Sequence, residues 1–204
     1  MTKEQLINKL KNRGILCSPD IIDAFEKIDR ADFVRGSFKN ESYGDYPLPI
    51  GWGQTISQPT TVAFMLELLN PQKGEKILDL GSGSGWTTAL LGNLVTKSGQ
   101  VIGVEKIPQL VEFGQSNLAK YPGLPAKIVR AGKKLGLPAM APFDKILVSA
   151  AAEDLPKELT DQLKTGGVMV IPIGNSIFKI AKTAKNNFIK EEFPGFVFVP
   201  LLQD

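Results

Sequence analysis

The sequence contains no histidine. That removes the commonest general base and the commonest metal ligand, and it excludes Ser-His-Asp and Cys-His catalysis. Cysteine is almost as scarce. Cys17 stands alone, so there is no internal disulfide framework and no set of thiolates for zinc. No metal site is expected. A lone thiol fits a reducing compartment, and the cytoplasm is the expected location. No stretch approaches the ~20 apolar residues needed to span a bilayer. The opening MTKEQLINKLKNRG is charged and amphipathic, without a signal-peptide core, so no membrane association is expected. Charge of either sign is also modest. Lys and Arg number 24 against 21 Asp and Glu, a net of +3, which gives no reason to expect nucleic acid. The lysines at Lys133-Lys134 and from Lys179 to Lys190 read as solvated faces.

What is present is ordinary globular material: 43% hydrophobic and 22% charged residues in a chain of 204. Residues 3 to 13 read as a helix ended by Gly14, and Ser18-Pro19 as the cap and first residue of a second. DRADFV (29 to 34) reads as a short capped turn. Residues 37 to 56, with Gly44, Pro47, Pro49, Gly51 and Gly53, read mostly as loop. A helix is predicted over 59 to 69, ended by Asn70-Pro71. The pattern then changes to buried strands at 76–80, 100–105, 126–131, 143–150 and 166–174, with helices at 86–95, 107–121 and 156–163. This alternation predicts an α/β, Rossmann-like, doubly wound and mostly parallel sheet. An antiparallel pair at its C-terminal edge and a helical segment at its N-terminus complete the expected fold. One domain is expected, with 1–58 carrying the N-terminal helices and an active-site loop and 59–204 the α/β core.

The loop LDLGSGSGW places Gly81, Gly83 and Gly85 between a buried strand and a helix. Glycines there let a ligand approach the backbone at the carboxyl end of the strands, and Glu105 at the next strand end can accept from ribose hydroxyls. The loop reads GxGxG rather than the dinucleotide GxGxxG, and Asp79 stands two residues before its first glycine. A carboxylate beside a pyrophosphate would be repelled. S-adenosylmethionine, with a sulfonium, an ammonium and no phosphate, suits Asp79 by charge.

With these motifs in view, nearly the whole chain, from about residue 15 to 202, resembles the protein-L-isoaspartate O-methyltransferase family. DRADFV and YGDYPLPIGWGQTISQP resemble the segment before that family's core. LDLGSGSGWTTALL and VIGVE resemble its cofactor motifs, and APFDKILVSAAAEDLPKELTDQLKTGGVMVIPIG its fourth and fifth strands; FVFVPL resembles its end. The resemblance implies methyl transfer from S-adenosylmethionine to the α-carboxylate of isoaspartyl residues in damaged proteins or peptides, leaving S-adenosylhomocysteine, in a chain expected to be a monomer. It implies cofactor contacts from Asp79, Gly81, Ser82, Gly83, Glu105 and Lys106, with Ala131 and Gly132 at the adenine end. Gln54, Thr55 and Ile56 would border the cofactor, Ser57 would meet the acceptor as the catalytic residue, and Ala150 and Ala151 would line the peptide site. Ser57 also stands where a cap of the following helix would.

Two positions depart from the family's pattern. Ala131 stands where an acidic residue usually meets the adenine amino group, and GNSIFKIA lacks the glutamine usual after the fifth-strand glycine. Two further readings share the fold: a methyltransferase for another carboxylate acceptor, and a cofactor-binding module without turnover. A nicotinamide oxidoreductase is disfavoured by Asp79 and the loop spacing.

Overall fold

The computed structural model describes residues 1–201. Helix α1 (Lys3–Asn12) opens on a reciprocal cap, in which the Thr2 hydroxyl accepts from Gln5 N and the Gln5 side chain accepts from Thr2 N. Helix α2 (Pro19–Lys27) starts at Ser18 as expected, but Ser18 does not cap it with its own side chain. Glu67, from α3 (Pro59–Leu69), accepts from Cys17 N, Ser18 N and the Ser18 hydroxyl instead. Helix α3 ends at Asn70, held in the left-handed conformation.

Between α2 and α3 the expected loop is partly ordered. Residues 30–32 and 36–41 are short 3-10 turns. Strands β1 (Leu48–Gly51) and β2 (Gln54–Ile56) form an antiparallel hairpin. Leu48, Ile50 and Ile56 are buried, so a strand-like alternation was present in the sequence, but the prolines obscured it. Pro49 sits at an exposed position of the hairpin, where its missing N–H costs nothing. Gly51, Trp52 and Gly53 all adopt positive φ to turn the chain.

The remaining elements are β3 (Lys76–Leu80), α4 (Trp86–Val95), β4 (Gln100–Glu105), α5 (Pro108–Leu118), β5 (Ala126–Arg130), β6 (Phe143–Val148), α6 (Lys157–Gln162), β7 (Leu163–Ile173), β8 (Ser176–Ala184) and β9 (Asn187–Pro194). The seven-stranded sheet has the order β5-β4-β3-β6-β7-β8-β9. Strands β3 to β7 are parallel, and β8 and β9 add the antiparallel edge. Among the boundaries, β7 starts three residues earlier than expected. The FVFVPL segment runs past β9 and pairs in parallel with Ala151 through Pro200.

The sheet is covered on both faces. Ile77 and Val101 join the core built from α1 to α5, whereas Leu78, Leu80, Ile102 and Val104 pack into a second core that contains Leu159 of α6. The chain winds outward from β3 to β5 and returns to β6 on the other side of β3. The order therefore reverses between β3 and β6, and a crevice opens at their carboxyl ends. No described helix is long and apolar enough to cross a membrane.

Candidate functional site

A cavity of about 760 Å³ occupies that crevice. Its floor is the loop that joins β3 to α4. Gly85 is the N-cap of α4 at φ +89, and a Cβ there would lie 2.9 Å from Ile128 Cδ1 and 3.1 Å from Gly114 O. Glycine is thus required for helix and sheet to close on each other beneath the ligand space.

Two carboxylates define this floor. Glu105 is 7% exposed and lines the cavity. Its Oε1 accepts from Lys106 N (2.8 Å) and Ile107 N (2.9 Å), and its Oε2 from Gly83 N (2.9 Å). A carboxylate has about four acceptor sites. Three are filled, and the fourth, on Oε2, is open. Asp79 is fully buried at 0% exposure. Its Oδ2 accepts from the Thr87 (2.8 Å) and Thr88 (2.6 Å) hydroxyls, while Oδ1 has no partner. Burial pushes the Asp79 carboxyl up to about 6; the threonine hydroxyls oppose that shift and the Glu105 charge adds to it.

The opposite wall is the end of the hairpin, Gln54 to Ser57, without a charged side chain. Ile56 is buried, and the Ser57 hydroxyl has no partner among the described residues. The Ser57 carbonyl is fixed from behind by Arg30, whose Nη2 donates to it at 3.1 Å. Further along, Ser149 and Ala150 follow β6, and Val199, Pro200 and Leu201 of the terminal segment complete the rim. A hydroxyl-bearing neutral wall and an acidic floor thus line one space large enough for a nucleoside and a peptide side chain.

A family model for "Protein-L-isoaspartate(D-aspartate) O-methyltransferase (PCMT)" matches residues 1–204. The chain is 42% identical to the protein-L-isoaspartate O-methyltransferase of Methanopyrus kandleri, over 98% of this chain and 91% of that one. It is 43% identical to the protein of that name from Flavobacterium psychrophilum, over 99% and 94%. It belongs to the protein-L-isoaspartate O-methyltransferase family. A crystal structure of a Plasmodium falciparum protein described as a beta-aspartate methyltransferase, in complex with S-adenosyl-L-homocysteine, superposes with a TM-score of 0.90 at 30% identity, covering 100% of both chains.

Within this isoaspartate methyltransferase fold, most of the residues singled out from sequence meet in the one cavity: Gln54, Thr55, Ile56, Ser57, Gly81, Ser82, Gly83, Glu105, Lys106, Ala131, Gly132 and Ala150. Two do not reach its wall. Asp79 lies on the face of β3 that points toward α4, because side chains alternate along a strand and Leu80 takes the other face. It lies beneath the loop, bonded to Thr87 and Thr88. Ala151 is committed to the backbone, donating to Val199 O and accepting from Leu201 N, both at 2.8 Å. These two bonds tie the terminal segment to the rim. Ser57 is not a helix cap: the N-cap of α3 is Gln58, with no side-chain cap bond.

Several wall residues escaped the sequence reading. Lys133 and Lys134, expected on a solvated face, line the cavity, as do Trp86, Ser149 and the 199–201 segment. The lysines were findable, since they follow the carboxyl end of β5, where loops of a parallel sheet meet ligands. Gln162 is buried and ties down the wall beyond them. It accepts from Leu137 N (2.7 Å) and donates to Leu135 O (2.9 Å). Among the described residues, no group of three or more His, Cys, Asp or Glu side chains is placed to hold a metal ion.

Proposed function

We propose that the protein transfers a methyl group from S-adenosylmethionine to the α-carboxylate of L-isoaspartyl residues in damaged proteins or peptides. The observation that carries this reading is the meeting of two unlike groups in one cavity: the buried Glu105 carboxylate at the glycine loop, and an unpartnered Ser57 hydroxyl. The residues fit the cofactor. Glu105 Oε2 keeps one acceptor site for a ribose hydroxyl, and Asp79, with Oδ1 unpartnered, gives the floor the negative charge that suits a sulfonium or ammonium. Ala131 and Gly132 would border the adenine end, and Gln54 to Ile56, which line the same cavity, would border the rest of the cofactor.

S-adenosylmethionine supplies a methyl already activated as a sulfonium, so the transfer breaks a carbon–sulfur bond, forms a carbon–oxygen bond and moves no proton. An acceptor carboxylate with a pKa near ~4 is ionised at pH 7 and needs no general base. The protein's share is to orient and to exclude water. The Ser57 hydroxyl donates to the acceptor carboxylate, and the start of α3 at Pro59 adds a positive dipole end. Ala150 and the 199–201 segment border the peptide.

We read the chain as one unit, its N-terminal helices sharing a core with α3 to α5, and as a cytoplasmic monomer. The deciding experiment is methyl transfer from labelled S-adenosylmethionine to an isoaspartyl peptide beside its aspartyl twin. Label in the isoaspartyl peptide alone is expected. Equal labelling, or none, would reject the reading.

A further inference from the structure

The wall that faces the acceptor carries no charged side chain on its surface, yet a cation lies directly behind it. Arg30 is 2% exposed. Its guanidinium donates to Ser42 O (2.6 Å), Tyr46 O (3.1 Å) and Ser57 O (3.1 Å), with Gly44 O at 3.5 Å. It also lies 5.3 Å from the ring centre of Trp86, which lines the cavity. These are backbone and ring contacts. Among the described residues Arg30 makes no ion pair, and its Nε has no partner.

The carboxylate that acts on it electrostatically, Asp45, is committed elsewhere. Asp45 accepts from Thr60 N and the Thr60 hydroxyl and pairs with Lys9 at 3.1 Å and Arg13 at 3.7 Å. A charge taken out of water is normally matched by a counter-ion. Here burial pulls the Arg30 guanidinium down to about 10, against the upward pull of Asp45 and Tyr46, and leaves it protonated at neutral pH. A backbone clamp alone accounts for the hydrogen bonds and leaves the unmatched charge unexplained.

We infer that the counter-ion of Arg30 is the acceptor itself: the isoaspartyl α-carboxylate, held at the Ser57 hydroxyl, sits in the field of the guanidinium through the Ser57 peptide and the Trp86 ring. The inference rests on the function proposed above. It makes Arg30 a positioning residue, which never touches the substrate but fixes Ser57 and biases the site toward an anion. Charge behind the wall attracts without forming a direct ion pair, so the attacking oxygen stays free. Burial keeps the field from being screened by salt as surface charge would be. Lys106, Lys133 and Lys134 also border the cavity and are the rival source of attraction.

The test measures binding of an isoaspartyl peptide and of its α-carboxamide twin to the S-adenosylhomocysteine-bound protein. The acid is expected to bind tighter by about tenfold or more, the scale of one charge interaction at an intermediate dielectric. Three arms follow. In Arg30→Met the preference should fall toward one, and loss of both affinities in equal proportion would make Arg30 purely structural and overturn the inference. In Ser57→Ala, which keeps the cation, a preference should persist; its disappearance would assign recognition to the hydroxyl alone. Raising salt to about 0.5 M should leave the wild-type preference largely intact, and a collapse would assign it to the exposed lysines. If Arg30→Met does not fold, the other two arms decide. A protein that methylates no isoaspartyl peptide fails the proposed function; one that methylates it but fails these arms loses only the role of Arg30.

Discussion

The glycine-loop floor and the 54–57 wall face each other across one cavity, yet they are built and charged in opposite ways. The floor comes from one continuous segment, β3 through the start of α4, plus the end of β4. Its charges are negative and held by near neighbours, three backbone N–H groups on Glu105 and two hydroxyls on Asp79, with one Glu105 acceptor site and Asp79 Oδ1 left open. The wall is assembled from distant pieces, a hairpin, Arg30 and a terminal segment, and its charge is positive and held out of sight. The difference follows the reactants. In the proposed function a cationic cofactor would be met by nearby carboxylates, and an anionic acceptor by a hydroxyl, with the opposing charge one layer back.

Removing the floor's main carboxylate should have the largest effect. Glu105→Ala strands three N–H groups and deletes the ribose acceptor. Affinity for S-adenosylhomocysteine, read by calorimetry, should fall at least about a hundredfold, or ~3 kcal/mol. Retained affinity would mean that the two walls do not divide the reactants as described.

Asp79 sharpens the comparison through pH. Its folded pKa is raised from 3.8 to about 6, so its contribution to stability is fully present below about 4 and is lost as pH rises through 6. The gap between wild type and Asp79→Asn should therefore shift by about 3 kcal/mol in the variant's favour between roughly pH 4 and pH 8. Denaturant midpoints across that window check it, and a constant gap would show that the carboxyl is not strained.

On the other wall, Ser57→Ala should lower kcat/KM for an isoaspartyl peptide by roughly ten- to a hundredfold, about 1.5–3 kcal/mol, with S-adenosylhomocysteine affinity nearly unchanged. Because Gln58 and not Ser57 stands at the N-cap of α3, the melting temperature should stay within ~2 °C. A large melting shift with normal kinetics would break the assignment.

Smaller still is Ala131→Asp, which restores an acidic partner for the adenine amino group at a position on the cavity wall. Cofactor affinity should rise by roughly 0.5–1.5 kcal/mol. An unchanged value would point to another acceptor at that end. The smallest expected effect is on rate. At saturating cofactor the single-turnover rate should vary by less than ~2-fold between about pH 6 and pH 8, because the acceptor is ionised throughout. A tenfold rise per unit would reveal a base.

The two walls also differ in how far they could be read from sequence. The floor was legible because a continuously buried strand, three glycines and a carboxylate lie within thirty residues of one another, and a parallel sheet leaves them one place to go. Even there, the spacing of Asp79 from the glycines does not give its face; strand alternation sets it under the loop. The wall was legible only as a neutral motif. The contact of Arg30 with Ser57 spans 27 residues, and that of Ala151 with Val199 crosses most of a domain half. No local pattern encodes either. Pro47 and Pro49 hid the hairpin in the same way, because turn chemistry outweighed a short alternation.

The register of the sheet sets Gly103 of β4 directly opposite Asp79. A Cβ at Gly103 would stand 2.7 Å from the Thr88 hydroxyl and 3.0 Å from both Ser82 Cβ and Ile128 Cγ1. The bare backbone at 103 is what lets Thr88 reach the buried carboxylate at 2.6 Å. Positions 79, 88 and 103 are therefore coupled physically. A side chain at 103 would push the Thr88 hydroxyl away and leave a more costly buried acid, whereas neutralising Asp79 would remove that cost.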